Sequence, residues 1–411
     1  MMTTTTTTTT ISMMTTMTEP AASEPDGSLL EALADALGRT LVSHSRVSST
    51  VSGDGLVVAH QVEFATDDGT EQHLIYIETS PQPGERDGVL TFADETTGDE
   101  VAVWVYPNDP ALPALEAAVF PDAATVLLRR LGVPDVEHVT LKLEAYRPSK
   151  RAVIRVDSDA GTVFLKIVRP GAAEVFAQRH RGWLEHGVPV PPVLGWSDDG
   201  MLALAALRGV PAADVIARVS PERFVAALIE LQEQIARVPS TDPARASLAS
   251  RLSWYVRRLI ASAPDHARRI QRLAQGIEEL LSAVPEVAAV TIHGDLHIGQ
   301  LFLAEQTDVI NGVLDIDTAG LGDPADDAAA LYAHLIVTVL VNSDKPSVVS
   351  ACEELAVRWR ESWRAREDSS FDDRATAIAA THLLAHALNR LPDTGVLLDR
   401  AETLMSNIRE L

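Results

Sequence analysis

The chain contains a single cysteine, Cys352, among its 411 residues. That scarcity excludes an intrachain disulfide and a thiolate metal cluster, and it fits a reducing cytoplasm. Positive charge is also short: 34 Lys and Arg stand against 58 Asp and Glu, a formal net charge of −24. Such a field repels phosphate backbones, so neither nucleic acid nor an anionic membrane is expected as a partner, while a cationic small molecule would be attracted. Long apolar runs are missing too. "AAALYAHLIVTVLV", at 328–341, is 14 residues long and carries a histidine; a membrane span needs about 20, so a buried helix is expected. The opening "MMTTTTTTTTISMMTTMTEPAASEPDG" has no basic residue and no apolar segment. It does not read as a secretory signal, and with almost nothing to bury it is expected to be disordered.

What is present is enough chain for two or three folding units. Residues 28–39 read as a helix opened by Ser28. Short β-like runs follow ("SSTVSG", "GLVVAHQVEFATDDG", "EQHLIYIETS", "GVLTFAD", "EVAVWVYP"), whose spacing predicts an antiparallel sheet. Pro107 to Pro113, "PNDPALP", looks like a linker or sharp turn. A second β-rich stretch shows strands at 139–146, 151–157 and 162–168, a helix at 171–186, and two more strands before 207. From 212 onward the pattern is helical, except for short strands in "LFLAE" and "DVINGVLDID". The expected layout is a tail (1–27), a β-rich cap (28–108), a β-rich nucleotide-binding lobe (109–207) and a helical lobe (208–411). A five-stranded sheet with one inserted helix, then helices around an acidic hairpin, is the order of a two-lobed, α+β phosphotransferase.

The chemistry-bearing segment is "TIHGDLHIGQLFL", 291–303, followed by "VLDIDTAGLGDPADD" at 313–327. Phosphoryl transfer from ATP needs a carboxylate to orient and deprotonate the acceptor hydroxyl, oxygen ligands for Mg²⁺, and a cation on the phosphates. H-G-D-x-x-x-x-Q has the spacing of a kinase catalytic loop. Asp295 would be the base, Gln300 would offer a carbonyl oxygen to the metal, and Asp315 a carboxylate; Mg²⁺ prefers few protein oxygens plus phosphate and water. In "VFLKIV" Lys166 stands amid apolar residues, where a lone ammonium is costly to bury without a partner.

These paired motifs resemble the aminoglycoside-phosphotransferase-like family of kinase-fold enzymes, which carry H-G-D-x-x-x-x-N and then I-D-x-x-x-A-G-x-G-D-P-x-x-D. The resemblance covers roughly 139–411. It implies a protein-kinase-like fold, here preceded by a β-rich cap, with Asp295 as base and Asp315 as principal metal ligand. Asp323 and Asp327 would brace the helical lobe, and His293 would hold the catalytic loop. It further implies that Lys166 binds the α/β-phosphates and pairs with a Glu on the next helix, Glu174 before Glu185. The turn "RPSKR", 147–151, takes the place of the nucleotide-covering loop, with Ser149 and backbone amides over the phosphates. "LALAAL", 202–207, would be the hinge that reads adenine. Gln300 departs from the family's Asn: one more methylene moves the carbonyl by about 1.5 Å. "HGDLHxGQ" is most similar to maltokinases and actinobacterial glucosamine kinases.

For the acceptor, "DID" along a strand would point Asp315 and Asp317 to one face, leaving Asp317 for an ammonium-bearing sugar. "TAIAATHLLAHALNRLP" spaces His382, His386 and Asn389 along one helix face able to read hydroxyls, and Trp359 or Trp363 could stack a sugar ring. The expectation is an ATP-dependent glucosamine kinase, against a maltokinase, an aminoglycoside phosphotransferase, or a pseudokinase that binds without transfer.

Overall fold

The computed structural model describes residues 25–406, apart from 53–54, 80–87, 94–99, 134–135, 137, 286, 306–307 and 389–392. The expected disorder of the tail lies, up to residue 24, outside the described residues. The chain divides into two compact units, Met1–Gln178 with Val193–Ala206, and Arg179–Pro192 with Leu207–Leu411.

The first unit opens with α1 (Pro25–Ala36) and an antiparallel sheet of β1 (Leu41–Ser52), β2 (Gly55–Thr66), β3 (Gly69–Glu78), β4 (Val89–Ala93) and β5 (Glu100–Val105), in the order β1-β2-β3-β5-β4. The period of two in these sequences serves both faces. Val62, Phe64, Ile75, Ile77 and Val103 pack under Leu30 and Leu33 of α1. Val57, Ala59, Tyr76 and Trp104 point the other way, onto Tyr106 and Tyr146. β1 starts at Leu41, well before the run "SSTVSG" that marks it in the sequence. It is an edge strand, and its polar, exposed residues mask the alternation.

Next come α2 (Ala114–Ala118) and α3 (Pro121–Arg130), which the sequence pattern did not announce. They cover one face of a second antiparallel sheet, β6 (Val139–Arg147), β7 (Arg151–Ser158), β8 (Gly161–Val168), β9 (Val193–Trp196) and β10 (Met201–Ala205), ordered β6-β7-β8-β10-β9. Leu112, Leu115 and Leu128 meet Ile154, Leu165, Ile167 and Ala203 there. On the opposite face Phe164, Val168, Leu202 and Leu204 pack on Ala173, Phe176 and Ala177 of α4 (Ala172–Glu185), the helix inserted between β8 and β9.

The second unit is helical around two short ladders. It runs β11 (Val210–Pro211), α5 (Ala212–Val215), α6 (Pro221–Ala236), α7 (Leu252–Ser262), α8 (Ala267–Ala283), β12 (Val290–Ile292), β13 (Leu301–Leu303), β14 (Ile310–Val313), β15 (Gly320–Gly322), α9 (Pro324–Val341), α10 (Pro346–Arg364), α11 (Phe371–Ala387) and α12 (Thr394–Ser406). α9 is long and apolar enough to cross a membrane by length and composition. It lies instead in the core of this unit, with Ala328, Leu331 and Leu335 buried among α10 and α11. Trp359 and Trp363 are fully buried, and Trp359 Nε1 donates to the Ala328 carbonyl at 2.9 Å. Neither is placed to stack a sugar: apolar helix faces recruited both into the core. The element order is the expected protein-kinase-like α+β one, β-rich first and helical after.

Candidate active site

Two antiparallel ladders gather the two sequence motifs within the helical unit. β12 pairs with β15, Ile292 opposite Gly320, and β13 pairs with β14, Leu301 opposite Val313. Between them Leu314 is a hub. Its N–H donates to the Gln300 carbonyl at 2.8 Å, and its carbonyl accepts from His293 Nε2 at 2.8 Å. His293 is wholly buried, with Trp183 edge-on at 6.3 Å. One residue thus ties the His-Gly-Asp loop, the Gln300 turn and the approach to Asp315.

The loop is held from below by Asp327 on α9, whose carboxylate accepts the amides of His293 (2.7 Å) and Gly294 (2.8 Å). Burial pushes that carboxyl up, and these amides together with that of Leu296 oppose the rise. Gly294 is there of necessity: its φ is +80°, and a Cβ would lie 2.5 Å from the Thr318 carbonyl oxygen. Thr318 Oγ1 donates to the His293 carbonyl at 2.9 Å. Asp323 caps α9 through the Ala325 amide (2.9 Å) and pairs with Arg374 Nε at 2.6 Å.

Asp295, at the head of this loop, meets Arg245 end-on, Nη2 to Oδ1 at 2.8 Å and Nη1 to Oδ2 at 3.2 Å. Gln300 closes a 3₁₀ turn, Ile298–Gln300, with its side chain buried; its Oε1 has no hydrogen-bond partner among the described residues. Asp315 has φ 57° and ψ 49°, a left-handed conformation that Asp tolerates better than most side chains. It precedes a second 3₁₀ turn, Ile316–Thr318. The strand ends at Val313, so the alternation argument for Asp315 and Asp317 sharing a face does not apply. Asp317 is held through its backbone instead, its carbonyl accepting from Arg179 Nη1 at 2.6 Å.

The residues fit Mg²⁺ only in part. Among the described residues no group of three His, Cys, Asp or Glu side chains could hold a metal, and the orphaned carbonyl of Gln300 is the kind of oxygen that wants a cation. A nucleotide would have to bring the remaining ligands.

Beside Asp295 stands a group of imidazoles. His297 Nδ1 accepts from the Gly299 amide at 3.1 Å, capping the Gln300 turn, and the ring stacks on His334 at 4.2 Å. His334 meets His386 edge-on at 4.9 Å. His382, one turn before His386 on α11, is buried. Burial lowers the proton affinity of all four; the Asp295 charge opposes this at His297 and His386, while Arg245 reinforces it at His334 and His382. His386 therefore lies in this group of imidazoles. Asn389 lies outside the described residues.

A pH effect follows. Burial pushes His382 down to about 3, far below the ~6.5 of an unfolded histidine. Above pH ~6.5 both states are neutral; below it only the unfolded chain takes the proton, so stability falls by ~1.4 kcal/mol per pH unit. Between pH 7.5 and pH 5 this single residue is expected to cost about 2 kcal/mol, read as the denaturation free energy of the wild type against His382→Gln. Asp326, raised to about 7 by burial, acts in the opposite direction and cancels in that comparison. Equal pH slopes for the two proteins would refute it.

The remaining expected residues lie in the β-rich unit, except Glu185, which falls in the Arg179–Pro192 segment of the helical unit. Lys166 is on β8, between β7 and β10, registered with Val153 and Leu202. It is 6% exposed, with Nζ 5.8 Å from the Phe176 ring centre, so it is no solvated edge lysine. The expected Lys166–Glu174 pair does not form. α4 turns Ala173 and Ala177 to the sheet, which leaves Glu174 exposed and hydrogen-bonded to Gln178 at 3.2 Å; Glu185 is exposed too. Ser149 has φ 59° and is buried; its amide donates to Asp109 Oδ2 at 2.7 Å and its carbonyl accepts from Arg169 Nε at 3.0 Å. Asp109 also accepts from Tyr146 Oη (2.8 Å) and the Ala111 amide (2.9 Å). The Pro107–Pro113 stretch therefore anchors the 147–151 turn.

Residues 148–342, just under half of the chain, match the model of the phosphotransferase enzyme family (APH). No curated protein sequence matches the chain. Similar solved structures include a thermostable variant of aminoglycoside phosphotransferase APH(4)-Ia with ADP and hygromycin B, 14% identical over 68% of this chain and 97% of that one, TM-score 0.48. Macrolide 2'-phosphotransferase MphH from Brachybacterium faecium is 20% identical over 69% and 97%, TM-score 0.41. A choline/ethanolamine kinase family protein from Mesorhizobium loti is 20% identical over 71% and 92%, TM-score 0.44.

Two residues of the site escaped the sequence reading, Arg245 and His334. The signal for His334 was present: it lies two turns beyond Asp327 on α9, a polar stripe in an apolar helix. Arg245, in a loop between helices and 50 positions from Asp295, gave none.

Proposed function

We propose that this protein transfers the γ-phosphoryl group of ATP to a hydroxyl of a small amino sugar, glucosamine being the first candidate. One observation carries the reading: Leu314 ties the His293–Asp295 loop and the backbone of Gln300 into one frame at the approach to Asp315, with the Gln300 side-chain Oε1 left without a hydrogen-bond partner among the described residues. Asp295 would hold the acceptor hydroxyl; its oxygen attacks the γ-phosphorus, the bond to the β–γ bridging oxygen breaks, ADP leaves, and the proton passes to Asp295. Gln300 and Asp315 would hold Mg²⁺, which when bound neutralises phosphate charge. Lys166, buried in its sheet, is proposed as the phosphate-binding cation.

The amino sugar is favoured by the net charge of −24. A second reading, a neutral sugar such as maltose, draws on the stacked imidazoles of His297, His334 and His386, on which burial disfavours a charge and whose remaining ring nitrogens suit hydroxyls. ATP consumption with glucosamine, glucose, N-acetylglucosamine, maltose and kanamycin separates them. The expected kcat/KM for glucosamine exceeds that for N-acetylglucosamine by about ten-fold, ~1.4 kcal/mol. Preference for maltose would favour the second reading, and no transfer to any of the five would count against both.

A further inference from the structure

We propose that Arg245 is a positioning residue, whose guanidinium fixes the plane and direction of the Asp295 carboxylate for transfer. The inference rests on the reading of Asp295 as the base.

Exposed ion pairs usually contribute little, because two long side chains must be ordered to make them. Arg245 and Asp295 are 38% and 30% exposed at their side chains, so the pair needs more than proximity to matter. The backbone supplies it. Arg245 N–H donates to the Thr318 carbonyl at 2.9 Å, Ala244 N–H to the Leu321 carbonyl at 2.9 Å, and Leu321 N–H to the Asp242 carbonyl at 2.8 Å. Gly320 permits this approach, since a Cβ there would lie 2.5 Å from the Pro243 carbonyl carbon. Thr318 in turn donates its hydroxyl to the His293 carbonyl, two residues before Asp295. Arginine and carboxylate therefore hang from the two ends of one short hydrogen-bonded frame.

The surroundings point the same way. Burial disfavours a charge on His297 and His386, the imidazoles that feel the Asp295 charge, while Arg245 meets this carboxylate directly through two hydrogen bonds. A guanidinium fork meeting a carboxylate end-on sets its plane as well as its position. An ionised carboxylate has about four acceptor sites. The fork takes one on each oxygen and leaves one on each, which is what an incoming hydroxyl requires. A free Asp side chain would rotate, and a misplacement of about 1 Å can cost 10²-fold in rate.

The test uses the full chain, MgATP and glucosamine, with kcat and both KM values. Arg245→Ala is expected to lower kcat about 100-fold with KM for ATP unchanged. Millimolar guanidinium should restore about ten-fold of that loss in Arg245→Ala and nothing in Asp295→Asn. Arg245→Lys, which has a point charge in place of a fork, should fall between. Because Arg245 acts through Asp295, the double variant should be no slower than Asp295→Asn alone. Arg245→Gln serves the same comparisons if the alanine variant does not fold. An active wild type with Arg245 variants within about three-fold of it, or a double variant showing the product of the two losses, overturns the role of Arg245 alone. A wild type without transfer overturns the phosphotransfer reading and this inference with it.

Discussion

Asparagine at position 295 is expected to lower transfer by about 10²–10⁴-fold while nucleotide affinity stays within about two-fold. Asp295→Asn keeps the shape of the side chain and removes its charge and its capacity to take a proton. The frame around it is made by backbone groups of His293 and Gly294 and by the His293 ring, none of which changes. Gln300 and Asp315, the proposed metal ligands, are also untouched, so the nucleotide should still bind. What is lost is the acceptor of the hydroxyl proton and half of the Arg245 pair. Steady-state transfer with calorimetric titration of MgATP measures both. Unchanged turnover would remove Asp295 from the chemistry. A wild type that binds MgATP without transferring would instead describe a kinase-fold binding module.

The His293–Gln300 segment stood out because its signal is local: fixed spacing between polar residues inside apolar runs, read off one strand–turn–strand unit. Alternation over short runs marked the strands of both sheets for the same reason, except for the first half of β1, whose polar, exposed residues mask it. What failed was whatever depended on which way a side chain turns. Glu174 lies on the correct helix, yet Ala173 and Ala177 claim the sheet side and leave it exposed. "DID" reads as strand, but Asp315 adopts a left-handed conformation, and periodicity does not report a single positive φ. Trp359 and Trp363 share a face suited to stacking a ligand, and the same face suits a core. Arg245 was beyond reach because its partner is set by the β12–β15 ladder and the loop laced to it, contacts that no window of sequence contains.

Removing the carboxylate of Asp327 is expected to be the most damaging change to the helical unit, on the order of 3–5 kcal/mol. Asp327 is 2% exposed and accepts the backbone amides of His293 and Gly294, with Leu296 adding to the set. In Asp327→Ala those donors stay buried beneath the loop without an acceptor, and each orphaned group costs about 1–3 kcal/mol. The damage also has an address. The loop losing its floor is the one that carries Asp295, and Gly294 runs so close to Thr318 that an added Cβ would lie 2.5 Å from its carbonyl oxygen. Unfolding should therefore shift by roughly 10 °C, and transfer should fall well below what the residual folded fraction explains. Asp327→Asn keeps one acceptor but turns an amide N–H₂ toward a backbone N–H, so it should land between. Thermal unfolding followed by circular dichroism, alongside activity at a temperature where the variant is folded, reads both. A shift under about 2 °C for Asp327→Ala would mean that water replaces the carboxylate and that the loop is held by the His293–Leu314 bond instead.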